Sequence, residues 1–260
     1  MAGKKNRNAV PTGNTKASGT RAPAGTIDVF SVANDGTKTY LGWATDKNKL
    51  AFFSRAGDRA LNPDKFTKYG AMNPKPNWQP DPTKRALQVH ELLLGPNVDK
   101  LAAEIVIKWI NENSITDPKA FSLAHTLFGE DSIPFKTALN VHYAMATFDL
   151  QREHSGSVIR NAIFKYINQR DDPLLPNADD FKYGMEKIDF DDGLLSVFMT
   201  QIMWRSVNKT IDSAVLDEIK VYCQEKGLYE DMKAIGEGVV AKKMSYRKGK
   251  KAGKPIEHGW

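Results

Sequence analysis

The chain has 260 residues, of which 41% are hydrophobic, enough to bury a substantial core in one large domain or two small lobes. A formal charge of +6 and a pI near 9.2 point toward an acidic partner. A lone cysteine, Cys223, excludes an intrachain disulfide and a Cys-rich zinc site, and the absence of any long apolar run predicts a protein with no membrane partner.

The charge is segregated along the chain. Residues 1–26 hold five bases and no acid, so a mobile basic arm is predicted there, with too little apolar surface to offset the entropy of ordering it. Residues 47–85 carry nine bases (Lys47, Lys49, Arg55, Arg59, Lys65, Lys68, Lys75, Lys84, Arg85) against Asp58, Asp64 and Asp81, a surplus of six. Phe52, Phe53, Phe66, Tyr69 and Trp78 lie between them. Spaced cations can follow a phosphate backbone, and aromatic faces can stack on unpaired bases of any identity, so this texture suits single-stranded nucleic acid. A solvated face over a small aromatic core is the alternative. Residues 171–197 carry a net −6 and residues 241–260 a net +6.

Alternation at Ile27, Val29 and Ser31, then at Thr39, Leu41 and Trp43, around Asn34-Asp35-Gly36 predicts a short hairpin. Prolines 63, 74, 76, 80 and 82 oppose a long helix in the basic stretch, which reads as a strand or short helix followed by an irregular loop. The remainder reads as helical. Asn97 is the predicted cap of a helix to about Glu112, Asp117-Pro118 opens one that Gly129 stops, and Pro134 begins one running to about Gln151. Ser157 opens a helix to Asn168. The acidic segment 171–192 reads as a connector with one short helix and a lobe boundary. Helices capped by Asp192 and Asp212 follow, then an amphipathic piece from Leu228 to Met244 and a mobile basic tail. The expected fold is mainly α: two helical lobes with a short β-hairpin near the N-terminus and flexible terminal arms. Its expected divisions are 1–26 arm, 27–170 N-terminal lobe, 171–240 C-terminal lobe and 241–260 arm.

No catalytic constellation is legible. His90, His125, His142, His154 and His258 are scattered without ligand spacing, no GxSxG elbow forms, and neither GxxxxGK[ST] nor GxGxxG occurs. Asp171/Asp172, Asp179/Asp180 and Asp189/Asp191/Asp192 lack the calcium-loop pattern, so they read as caps, turns and a negative counter-surface, with a two-metal nuclease site as the enzymatic alternative. No catalytic residue, metal or cofactor is expected.

The basic-aromatic run KNKLAFFSRAGDRALNPDKF at 47–66 with Trp78 after it, the run VDKLAAEIVIKWINEN, and FMTQIMWRSVNKTID at 198–212 followed by two helices occur in an order that resembles the nucleocapsid proteins of bunyavirus-type segmented negative-strand RNA viruses, orthobunyavirus-like or emaravirus-like. The resemblance implies two helical lobes around a basic groove that sequesters genomic single-stranded RNA, and homo-oligomers joined by exchanged terminal arms. It further implies the viral RNA polymerase as a partner, and residence in the virion ribonucleoprotein and the host cytoplasm. On it, Lys47, Lys49, Arg55, Arg59, Lys65 and Lys68 line one wall of the groove, and Arg205 and Lys209 face them. Trp78, Lys84 and Arg85 complete the expected RNA-binding set. The coat protein of a filamentous RNA virus and a cellular RNA-binding protein are the competing expectations.

Overall fold

The computed structural model describes residues 26–62, 91–121, 134–150, 157–168 and 177–251. The alternation beginning at Ile27 becomes β1 (Ile27–Val32), which buries Ile27, Val29 and Ser31. It pairs antiparallel with β2 (Lys38–Ala44) across the predicted turn, where the Thr37 amide donates to Asp35 Oδ1 and the Gly36 amide to the Ala33 carbonyl. A third strand, β3 (Glu91–Leu94), lies parallel to β1 on its other edge, giving the order β2-β1-β3. Its four residues ELLL bury Leu92 and Leu94, and no strand was expected there.

Asp46 accepts from the amides of Asn48 and Lys49 and starts α1 (Lys47–Phe53); Ser54 ends it and caps α2 (Arg55–Leu61). The helix α3 (Lys100–Glu112) covers the sheet through β2 and is capped by Asp99, not by Asn97 as predicted. Asn97 instead takes a left-handed turn conformation (φ 63°). Asp117 and Pro118 open no helix, because the Asn113 side chain captures the segment first: its Oδ1 accepts from the amides of Ser114 and Lys119 and its Nδ2 donates to the Lys119 carbonyl. The rest of that predicted helix, to Gly129, lies outside the described residues.

Behind α3 sits α4 (Phe135–Thr147), with α5 (Val158–Ile167) and α6 (Ala178–Lys187) packed on it. Then come α7 (Asp192–Asn208), α8 (Ser213–Glu225) and α9 (Tyr229–Lys251). α7 packs on α5 and α9, and α8 packs on α6 and α9. The mainly helical fold with an N-terminal hairpin is as expected, and Asp212 caps α8 by accepting from the Ala214 amide. The acidic segment holds the one short helix expected of it, α6, which places Phe181 and Met185 in the same hydrophobic cluster as Ile27, Leu139, Phe198 and Met232. Two further expectations are corrected. The helix α7 is capped by Asp191, which accepts from the Leu194 amide, and not by Asp192, its first residue. The last helix runs to Lys251, seven residues past Met244 and into the segment read as a mobile tail. Of the N-terminal arm, residues 1–25, and of the C-terminal arm, residues 252–260, lie outside the described residues.

Candidate nucleic-acid interface

The described part of the basic stretch is the pair α1–α2, held against the end of α4 by main-chain and hydroxyl bonds. Ser54, fully buried, donates its hydroxyl to the Phe148 carbonyl (2.6 Å) and accepts from the Gly57 amide (2.9 Å). The Arg55 amide donates to the Asp149 carbonyl (3.0 Å), and Ser54 forms a β-bridge with Leu150. Gly57 lets α2 lie directly on α1: a Cβ there would sit 2.8 Å from the Leu50 carbonyl oxygen, a backbone atom that cannot swing aside. Underneath, Leu50 and Phe53 are buried, and Phe53 meets Trp109 edge-on at 5.0 Å.

This clamp fixes where the cations go. Arg55 and Arg59, four residues apart, project from one face of α2 and both are exposed. Arg59 Nη1 lies 2.8 Å from Asp149 Oδ2 in a solvent-facing pair. Lys47 stands in the first turn of α1, and neither it nor Arg55 has a carboxylate partner among the described residues. Lys49 is turned inward, its Nζ donating to the Asn111 carbonyl at 2.7 Å. Of the rings, Phe53 is buried and Phe52 packs on it, so these two serve the core and not base stacking. Lys65, Lys68, Trp78, Lys84 and Arg85 lie outside the described residues.

The two C-terminal cations are not brought to this face by direct packing. α1 and α2 pack on one another, on α3 and on β3, while α7 packs on α5 and α9. Arg205, expected on a groove wall, is buried. It falls on the stripe Leu194, Phe198, Ile202, spaced four, four and three residues apart, that turns toward the core. Lys209 is exposed at the left-handed end of α7 (φ 59°).

A second polar cluster, which sequence reasoning missed, joins α4 to α6 and α7. Lys187 Nζ donates to the Asn97 carbonyl (2.8 Å) and stands 4.8 Å over the Tyr143 ring and 5.8 Å from the Tyr183 ring. Burial pushes its pKa down, against the opposing pull of Asp99 and Glu186. Tyr143 donates to the Pro96 carbonyl and Tyr183 to Asn140 Oδ1. Beside them Asp191 receives two bonds from Arg160 (2.8 and 3.0 Å), touches His142 Nε2 (3.2 Å) and accepts from the Leu194 amide as the α7 cap. Burial raises the Asp191 pKa, but Arg160, the Leu194 amide and His142 outweigh it and hold the carboxyl at about 2. Burial also holds the His142 imidazole below its usual value, with Asp191 opposing.

This second cluster is a structural knot, since its donors and acceptors serve one another. Sequence offered one cue to it, Tyr183 and Lys187 one helical turn apart. Asp191, the central carboxylate of the acidic segment, is thereby engaged within the fold. Among the described residues no three His, Cys, Asp or Glu side chains are grouped to hold a metal ion. Cys223 is buried, which pushes its thiol up to about 11. No described helix is long and apolar enough to cross a membrane. No family model matches the chain, and neither a curated protein nor a solved structure matches it.

Proposed function

We propose that this chain binds single-stranded RNA without regard to sequence and encapsidates it as a self-assembling viral nucleocapsid protein, without turnover. The observation that carries the reading is the surplus of six positive charges over residues 47–85, whose described portion presents Arg55 and Arg59 outward on one rigid face of α2. A genome-coating protein must accept every sequence, so phosphate contacts have to dominate over base-edge contacts. Exposed arginines on a fixed helix meet that need, because a guanidinium can bond two phosphate oxygens at once. The stacking function falls to Phe66, Tyr69 and Trp78, since Phe52 and Phe53 are committed to packing.

On this reading the protein resides in the virion ribonucleoprotein and in the host cytoplasm, with genomic RNA, further copies of itself and the viral RNA polymerase as partners. The test is purification without nuclease, followed by ribonuclease challenge and binding to several unrelated single-stranded RNAs. Copurifying RNA that resists digestion, and affinities that agree across sequences, are expected. A nucleic-acid-free preparation that binds one RNA strongly and the others not at all would overturn the proposal.

A further inference from the structure

The last helix distributes its charge unevenly. Residues 229–238 hold Glu230, Asp231 and Glu237 against Lys233, a net −2, whereas residues 239–251 hold six bases (Lys242, Lys243, Arg247, Lys248, Lys250, Lys251) and no acid. Acids at a helix start and bases at its end complement the helix's own dipole, but that effect fades within the first and last turns. Glu237 and Lys242 lie well inside a helix of 23 residues, so the dipole does not account for them, while Lys243 donates its Nζ to the Val207 carbonyl near the end of α7 (2.9 Å).

The same helix lines an apolar groove of about 500 Å³ with α7. Met203, Val207, Met232, Val240 and Met244 form its walls, with Lys233 and Glu237 also on the helix side. Gly236 lets α9 press onto α7, because a Cβ there would run into the end of the Met203 side chain. Val240 and Met244, one turn apart, remain 37% and 60% exposed. Apolar side chains left open beside a groove call for a covering surface, and methionine adapts its shape to one.

We propose that the covering surface is the same helix of a second copy, laid antiparallel across a two-fold axis near Val240, the midpoint of α9. A two-fold contact must be self-complementary, each residue meeting its counterpart at equal distance on the other side of the axis. That operation sets the acidic half of each helix against the basic half of the other. Met244 comes opposite Gly236, Glu237 opposite Lys243 and Glu230 opposite Lys250; Lys233 opposite Arg247 is the like-charge pair in this register. The inference does not rest on RNA binding, and of the segment read as the C-terminal arm it uses only the part that is helical, up to Lys251.

The test is the solution mass, by light scattering, of the full chain freed of nucleic acid at high micromolar concentration. The wild type is expected as a dimer or a multiple of one. Val240→Glu with Met244→Glu is expected to halve that mass while leaving helical content and RNA affinity unchanged. Should that variant fail to fold, two charge variants decide the matter. One carries Glu230→Lys and Glu237→Lys; the other carries Lys243→Glu and Lys250→Glu, the counterparts of those two acids in this register. Each alone is expected to be monomeric, and an equimolar mixture is expected to recover the dimer mass. A monomeric wild type, which would leave the groove to a small apolar molecule or another protein, overturns the proposal. So does a mixture that stays monomeric.

Discussion

Two segments of opposite charge hang on α4, and they use their charge differently. At its C-terminal end, residues 46–62 are secured by Ser54, by the Arg55 amide and by buried Leu50 and Phe53, so Arg55 and Arg59 are left facing water and Lys47 is half-exposed. Along its side, residues 177–209 spend charge on the fold: Asp180 pairs with Lys136 (3.6 Å), Asp191 with Arg160 and His142, and Lys182 with Glu218. Lys187 and Arg205 are drawn inward as well. A charge total read along a chain therefore does not measure charge available to a partner. What counts is whether the main chain or the side chains hold the segment in place.

The comparison breaks first if the clamp is not what orients α2. Gly57→Val is expected to destabilise the fold by about 1–3 kcal/mol, because the new side chain meets Leu50 backbone atoms that have no room to yield. Thermal unfolding measures this, and an unchanged melting temperature would mean that α1 and α2 are not tightly joined. Ser54→Ala removes a cap and strips the Phe148 carbonyl of its buried donor, at a cost of roughly 1–2 kcal/mol.

The acidic segment makes the opposite kind of prediction, a dependence on pH. Asp191 is held at about 2, below its ordinary 3.8, so its stabilisation is complete above about pH 4 and is lost as pH falls toward 2. His142 is held below its ordinary 6.5 by burial, so the unfolded chain takes up the proton more readily and stability declines as pH drops through and below 6.5. Melting temperature followed from pH 7 down to 2 should fall in two stages. His142→Phe should flatten the upper stage and Asp191→Asn the lower. A single carboxylate-range transition unaffected by either change would show that the knot contributes nothing to stability.

The smallest effect concerns Cys223. Its buried, raised thiol should resist alkylation in the native protein and react readily once unfolded, with Cys223→Ser costing little beyond the lost burial. Rapid labelling of the native chain would indicate that α8 opens locally.

Much of this architecture was legible in the residues. The hairpin declared itself through alternation on either side of Asn34-Asp35-Gly36, and Asp212 and Ser157 stand where helices α8 and α5 begin. The strand ELLL did not, because four residues carry too little periodicity and its partner β1 lies some sixty residues away in sequence. Asp117-Pro118 looked like a helix start, but a side-chain amide four residues upstream outcompeted the helix for the same backbone groups. The position of Arg205 was readable in principle from its spacing to Phe198 and Ile202, yet the resemblance implied a place for it on the groove wall. The candidate interface was legible as composition but not as geometry. Nothing local distinguishes Lys49, bonded to a carbonyl on α3, from Arg55, which faces solvent.

The central claim is that the cations left outward by the α1–α2 clamp grip phosphate. The direct measurement is the salt dependence of affinity for an unstructured RNA, compared between the wild type, Lys47→Ala/Arg55→Ala/Arg59→Ala and Lys49→Ala. Each lost phosphate contact should reduce the slope of log affinity against log salt by about 0.7 for a single strand. The triple variant should therefore show a visibly shallower slope with helical content intact, and Lys49→Ala should keep the wild-type slope. Equal slopes for the wild type and the triple variant would contradict the account.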